Sequence, residues 1–117
     1  MLLFVPVIDV ATRYLLRRES ERRLRLATDR FQTEIRDFDV IFRDVNGPRG
    51  GVDKRCLLRA RLRRGGSVEV QAAGNTFSGA IGAAAKRLRR VLSRRFGGKI
   101  HRKYDHRSPF RRPWSVA

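Results

Sequence analysis

The sequence predicts an α+β domain in which two helices pack on one face of a four-stranded sheet, in the order β-α-β-β-β-α. Two segments repeat apolar residues at helical spacing, and three others alternate apolar with polar residues as strands do. The 117-residue chain contains 41% hydrophobic residues, enough for one small core. Its net charge of +17 predicts a surface suited to a polyanion.

The first predicted strand is the apolar N-terminal run 1–8. This run has no basic residues before it and no small-residue cleavage site after it, and Asp9 interrupts it, so we expect no secretory signal. No apolar run reaches the roughly 20 residues that a membrane-spanning helix needs. Because proline has no backbone N–H, Pro6 places this part of the strand at a sheet edge.

The first predicted helix runs from Thr12 to Phe31, and Ser20 is a polar gap in its apolar stripe. The stripe contains Leu16, Leu24, Ala27 and Phe31, and the opposite face carries Arg18, Arg22 and Arg25. Such a basic face is often only solvated, and Glu21 with Arg25 would then form a surface pair. A second basic helix in the same chain favours a binding surface instead.

Alternation of apolar and polar residues predicts three strands in the middle of the chain. Their inward residues are Phe38, Val40 and Phe42, then Cys56, Leu58, Ala60 and Leu62, then Val68, Val70 and Ala72. The glycine- and proline-containing stretch 46–51 predicts a loop after the first of these strands. Gly65 and Gly66 predict a tight hairpin between the other two.

Helical spacing returns in the second predicted helix, which Gly97 and Gly98 are expected to end. Its apolar residues are Phe77, Ala80, Ile81, Ala84, Leu88 and Val91, and its far side carries Lys86, Arg89, Arg90 and Arg94. The predicted domain therefore spans 1–96, followed by a tail, 97–117, that mixes basic with aromatic residues. This tail could order on RNA through phosphate pairing and base stacking, or it could serve only to keep the protein in solution.

Acidic residues around the second predicted strand could in principle hold a divalent metal for phosphodiester cleavage. They are Glu34, Asp37, Asp39 and Asp44. No histidine lies near them, and the outward face of a strand commonly displays such residues, so we expect no enzymatic activity.

A zinc site that joins His101 and His106 to Cys56 is also considered. Zinc sites use about four ligands at short spacing, whereas Cys56 lies on the inward face of a predicted strand. We therefore expect a small core residue there, and no cofactor or small-molecule substrate. Because Cys56 is the only cysteine, no disulfide forms within the chain, which suits a reducing cytoplasm.

The loop between the second and third predicted strands resembles that of a known family. The run Asp44–Cys56 is similar to the strand-connecting loop of short ribosome hibernation-promoting factors, also called ribosome-associated inhibitors. Residues similar to those of the family's two helices are Arg23-Leu24, Arg30-Phe31, Ala80-Ile81 and Ala84–Leu88. The resemblance covers residues 12–95 and implies the same order of strands and helices.

The resemblance further implies a cytoplasmic protein, monomeric when free, that binds the small ribosomal subunit. Such a protein lies in the channel between head and body, across the path of messenger and transfer RNA, and keeps an idle ribosome from translating. Its ribosomal RNA contacts map to Arg18, Arg22, Arg25, Lys86, Arg89, Arg90 and Arg94. The loop residues Arg49, Lys54 and Arg55 are further candidate contacts to ribosomal RNA. The alternative is that the loop glycines serve only to shape the turn.

The sequence departs from the family pattern at Ser20, where an apolar residue is typical. It also departs at Asn75, Phe77 and Gly82, where acidic, tyrosine and acidic residues are typical. The alternative interpretation is a general binder of double-stranded or structured RNA. Such a protein reads A-form shape through 2′-hydroxyl and phosphate contacts. Membrane adsorption is not expected, because the apolar stripes of both helices are needed to cover the sheet.

Overall fold

The computed structural model describes residues 1–6, 8–45 and 53–104, with side chains described as far as residue 97. The elements are β1 (Leu2–Phe4), α1 (Val10–Thr28), β2 (Ile35–Asp44), β3 (Lys54–Leu62), β4 (Ser67–Gly74) and α2 (Phe77–Tyr104). A short 3-10 turn, Asp29–Phe31, follows α1. The predicted α+β class and the order β-α-β-β-β-α are confirmed.

The four strands lie in the order β1-β2-β3-β4, with β1 parallel to β2 and the other neighbours antiparallel. β1 is an edge strand and is shorter than the predicted run 1–8. It ends before Pro6, which has no backbone N–H to donate to the sheet. Gly65 and Gly66 have φ angles of +101° and +78°, which only glycine adopts freely, and the predicted hairpin is confirmed.

The inward side chains of β2, β3 and β4 form the core together with one stripe of each helix. Val40, Phe42 and Cys56 have no exposed surface, so the predicted inward phase of these strands is confirmed. A single apolar cluster joins residues from all four strands and both helices. Because both helices lie on this inward face, the outward face of the sheet is left uncovered by the described part of the chain.

Side-chain oxygens satisfy backbone N–H groups at the start of both helices. The Asp9 carboxylate accepts a hydrogen bond from the Thr12 N–H at 3.0 Å, and hydrogen bonds from Thr12 lower the pKa of Asp9. At the start of α2, the Thr76 hydroxyl accepts from the Gly79 N–H at 2.9 Å. Neither helix, within the part of the chain that the structure describes, combines the length and apolarity needed to cross a membrane.

The two helices run side by side in the same direction. Glu19 accepts a hydrogen bond from Ser78. Further along, the Phe31 ring lies 6.4 Å from the Phe96 ring, measured between centroids. Successive contacts therefore advance along both helices together, and this parallel register decides which residues of α1 lie beside which residues of α2.

α2 continues through Gly97 and Gly98 to Tyr104, so the expectation that this glycine pair ends the helix is wrong. Glycine lowers helix propensity by about 1 kcal/mol relative to alanine, but it does not forbid helical dihedral angles. Phe96, the residue just before the pair, is anchored against Phe31 and holds this part of the helix in place. The boundary between domain and tail at 96/97 stays a prediction, and residues 105–117 lie outside the described residues.

Ser20 occupies a fully buried position between Leu16 and Leu24 on the inward stripe of α1, and its hydroxyl has no hydrogen-bond partner. The polar gap in the apolar stripe is thus packed into the core. A buried hydroxyl without a partner has lost its hydration without compensation, which costs about 1–3 kcal/mol. Ser20 therefore weakens the fold at the position where the resemblance leads one to expect an apolar side chain.

We predict that Ser20→Ala raises the free energy of unfolding by about 1 kcal/mol, because it removes the uncompensated hydroxyl and improves helix propensity. Urea denaturation followed by circular dichroism measures the change. Thr28→Val is the control, since the buried Thr28 hydroxyl donates to the Leu24 carbonyl at 2.6 Å and its loss should not stabilise the protein. A Ser20→Ala variant that is less stable than the parent would contradict this account.

Candidate nucleic-acid interface

The three predicted arginines of α1 are exposed on the side of the helix that points away from the sheet. They are Arg18, Arg22 and Arg25, and together with Glu19 and Glu21 they line a shallow surface depression. The surface pair between Glu21 and Arg25, which belongs to the alternative of a merely solvated face, is not formed, and Glu21 lies 3.7 Å from Arg17 instead. Among the described residues, no carboxylate forms an ion pair with these three arginines.

The four predicted basic residues of α2 are also exposed and lie close together. Lys86, Arg89, Arg90 and Arg94 line a second surface depression with Ser93. They lie opposite the buried Leu88 and Leu92, so the same helical period that packs the core also displays the charge. The structure therefore brings each predicted helix group together as a continuous patch.

The parallel register offsets the two patches along the helix axes. Arg23 of α1 lies level with Gly82 of α2, so the centre of the α1 patch lies beside the first turns of α2. The α2 patch begins at Lys86, and its centre is displaced by about nine residues, or about 14 Å at the α-helical rise. The seven residues form a diagonal stripe across both helices, which we call the basic band.

Arg23 belongs to the seam between the helices and not to the basic band. Its Nε lies 3.2 Å from Glu19 Oε2. A hydrogen bond from Ser78 and the interaction with Arg23 lower the pKa of Glu19. The Arg23 guanidinium lies 3.2 Å from the place that a Cβ on Gly82 would occupy. The glycine at a position where an acidic residue is typical of the family therefore gives the guanidinium room between the helices.

Lys54 is engaged within the fold. Its Nζ lies 3.0 Å from Asp53 Oδ1 and 3.3 Å from Asp44 Oδ2, and it sits 5.9 Å from the centre of the Phe77 ring. The hydrogen bond to Asp53, followed by that to Asp44, raises the pKa of Lys54. The charge of Lys54, a predicted RNA contact, is thus balanced by two carboxylates. Arg49, the predicted contact in the loop, lies outside the described residues.

Arg55 lies on the outward face of the sheet, opposite the face that the helices cover. It is separated from the basic band by the full thickness of the sheet. Its direct cross-strand partner is Arg43, which the sequence analysis did not include among the candidate residues. The sequence could have identified Arg43, because the strand alternation that points Phe42 inward also points Arg43 outward.

Tyr14 is a second residue that the sequence analysis missed. Tyr14 is 57% exposed on α1, and the Arg18 guanidinium lies 5.9 Å from the centre of its ring. The spacing of four residues between Tyr14 and Arg18 on one helical face could have identified the pair. An exposed aromatic ring beside an arginine offers a base-stacking surface next to the phosphate-binding charge.

Two of the carboxylates considered for a metal site, Asp37 and Asp39, form ion pairs across the outward face of the sheet, whereas Asp44 pairs with Lys54. Arg61 contacts both oxygens of Asp39, with Nη2 at 2.9 Å from Oδ1, and its Nε lies 3.2 Å from Asp37 as an ion pair without a hydrogen bond. Arg59 continues the series to Glu69 at 3.0 Å. We call these five residues the outward ladder. No group of three or more potential metal ligands occurs within residues 1–6, 8–45 and 53–104.

Cys56 is buried on the inward face of β3, and this burial raises the pKa of its thiol to about 12. The side chain of His101 and the whole of His106 lie outside the described residues. Cys56 is therefore a core thiol, as the alternation of β3 predicts.

No family model matches the chain, and no curated protein matches its sequence. Among solved structures, the fold is similar to the crystal structure of the Thermus thermophilus Protein Y N-terminal domain. The TM-score is 0.59 at 24% sequence identity, and the match covers 80% of this chain and 92% of that chain. Protein Y is a ribosome hibernation-promoting factor. The family resemblance that the loop and helix residues predict is thus confirmed in the fold.

We predict that Cys56 resists alkylation by iodoacetamide at pH 8 in the folded protein and reacts readily in urea, because the thiolate is the reactive form.

The raised pKa of the Cys56 thiol also makes the free energy of unfolding depend on pH. The unfolded thiol ionises near its ordinary pKa of 9.0 and the folded thiol near 12, so this contribution to stability is complete below pH 9 and is lost progressively between these values.

Mass spectrometry of the alkylated protein measures the first effect, and denaturation at pH 8 and pH 10 measures the second. The Cys56→Ala variant is the control for the pH effect, since it should lose less stability than the parent over the same interval. Rapid alkylation of the native protein would contradict the buried position of Cys56.

Proposed function

We propose that the protein binds the small ribosomal subunit through the basic band, occupies the channel for messenger and transfer RNA, and so inhibits translation in idle ribosomes. The observation that carries this proposal is the basic band itself, displayed by two parallel helices on a fold shared with Protein Y. In this proposal the protein acts by occupying its site and needs no cofactor.

The electrostatics of the helices support binding to phosphate. The acidic residues of α1 are already engaged, Glu19 by Arg23 and Ser78 and Glu21 by Arg17. The arginines of the band therefore keep their charge for an external partner. Guanidinium groups bind phosphates with two N–H donors, and release of counterions from the nucleic acid favours such contacts.

The rigidity of the band supports a structured target over a flexible one. Its residues lie on two helices that are anchored in the same core, for example by Leu24 and Leu88, which are almost completely buried. The backbone positions that carry the charges are therefore fixed before binding, and a folded ribosomal RNA surface can match them. Phosphate contacts of this kind position a protein, while the shape of the RNA supplies the specificity.

Sedimentation with purified small subunits tests the target. We expect the protein to sediment with the subunits at physiological salt, to resist competition by a bulk RNA duplex, and to inhibit a reconstituted translation system. The duplex competitor is essential, because a general RNA binder has the same charge and a similar arrangement of helices. Equal affinity for subunits and for duplex, measured as phosphate equivalents, would favour the general RNA-binding alternative and overturn the ribosome proposal.

A matched pair of charge reversals tests the band. Lys86→Glu, Arg90→Glu and Arg94→Glu together should weaken subunit binding at least about 100-fold, because each charge-assisted contact contributes about 1.5 kcal/mol or more. Replacing the exposed Arg36, Arg63 and Arg64 by Glu makes the same change in net charge outside the band and should cost much less. Circular dichroism checks that both variants fold. Equal losses would mean that overall charge, without geometry, explains the affinity.

A further inference from the structure

The outward face of the sheet carries an apolar row that no described element covers. Leu2 and Phe4 are 61% and 59% exposed at its edge. The strand register places Phe4 beside Ile41, Ile41 beside Leu57, and Leu57 beside Gln71. An apolar row therefore crosses three strands on the side of the molecule opposite the basic band.

Arg43 and Arg55 lie directly opposite each other in the antiparallel pair of β2 and β3, and both are exposed. Directly opposite residues have Cβ atoms about 4.5–5.5 Å apart, and like charges at this spacing destabilise a sheet. No ion pair to either arginine occurs among the described residues. The two arginines thus weaken the isolated fold, and an anion bound between them would relieve the repulsion.

Neighbouring carboxylates do not relieve this repulsion, because other cations already hold them. Asp39 and Glu69 pair with the arginines of the outward ladder. Asp44, next to Arg43 in the chain, and Asp53 both lie in ion pairs with Lys54, and Asp53 is almost completely buried. The charge of Arg43 and Arg55 is therefore directed to the solvent.

The arginine pair and the apolar row lie two residues apart along the strands, which is about 7 Å. A surface depression of about 510 Å³ adjoins the apolar row on the side away from the arginine pair, with Leu2, Ile41, Leu57, Arg59 and Glu69 in its lining. Cationic and apolar surfaces thus lie next to each other at a separation that suits the phosphate and the base of one nucleotide.

We propose that the outward face binds single-stranded RNA, with a backbone phosphate between Arg43 and Arg55 and a base on the row formed by Phe4, Ile41 and Leu57. A duplex keeps its bases stacked inside and would leave this row without a contact, whereas an unpaired base offers an apolar face. A second copy of the chain is disfavoured, because pairing the same faces would bring two molecules of net charge +17 together.

This site is independent of the proposed function, since it lies on the other side of the sheet from the basic band. The full-length protein can be titrated with a short fluorescein-labelled oligouridylate, followed by fluorescence anisotropy. The test variant is Arg43→Gln with Arg55→Gln. The matched control is Lys86→Gln with Arg90→Gln, which removes the same charge from the basic band.

We expect the test variant to lose affinity for oligouridylate at least about tenfold. The salt dependence of log K should become shallower by about 0.7, because the two arginines share one phosphate and each phosphate contact to a single strand contributes about 0.7. The matched control should lose less. The thermal midpoint of the test variant should equal or exceed that of the parent, since the cross-strand repulsion is removed. Equal losses from both double variants, or no loss from the test variant, would overturn the proposal.

The contribution of the base is tested with Phe4→Ser and two probes, oligouridylate and inorganic polyphosphate of matched length. Phe4→Ser should weaken oligouridylate binding about fivefold or more and leave polyphosphate binding unchanged, because only the nucleotide can stack. Equal effects on both probes would overturn the assignment of the apolar row. If the parent protein binds oligouridylate but does not bind small ribosomal subunits, the proposed function is refuted and the site on the outward face is not.

Discussion

Burial of the inward side chains of β2, β3 and β4 under both helices determines where the charged residues of this protein can point. The alternation of each strand is fixed by residues such as Phe42 and Cys56, which have no exposed surface. A shift of one residue in β2 or β3 would move outward arginines into the core, and a shift in β4 would move Glu69 there, which the cost of an unpaired buried charge forbids. The two basic surfaces of the molecule are therefore consequences of a single packing constraint.

The seam between the helices shows how small residues serve this arrangement. Gly82 leaves space for the Arg23 guanidinium, and Ser78 donates to Glu19, so an ion pair and a hydrogen bond lie where apolar packing is incomplete. Ser20 is a less favourable part of α1, because its buried hydroxyl has no partner. The fold thus tolerates a weak core position and depends on the rest of the apolar cluster for its stability.

The carboxylates of the chain have a consistent role. Asp39 and Glu69 pair with arginines on the outward face, and Glu19 and Glu21 pair within α1. These residues hold the fold's own cations in place, and the remaining arginines give the two surfaces their positive potential. Because these acidic residues are used locally, the positive charge of the two surfaces lies where no described residue supplies a partner, and such concentrated charge is typical of a surface that binds nucleic acid.

The sequence by itself determined the fold class, the order of the elements, the inward phase of the three middle strands and the basic faces of both helices. These features are local, since periods of 3.6 and 2 residues report which side of an element is buried. The glycine signal at Gly97 misled the prediction, because helix propensity is weak and the neighbouring Phe96 packs against Phe31.

Only the tertiary structure decided the relations between elements. The parallel register of α1 and α2 makes the basic band diagonal. The ion pairs of Lys54 with Asp44 and Asp53 engage the lysine within the fold. The register of β2 with β3 places Arg43 directly opposite Arg55. The physical reason is that each of these depends on contacts between residues distant in the chain. A local period fixes the face on which a side chain lies but carries no information about the partner it meets there.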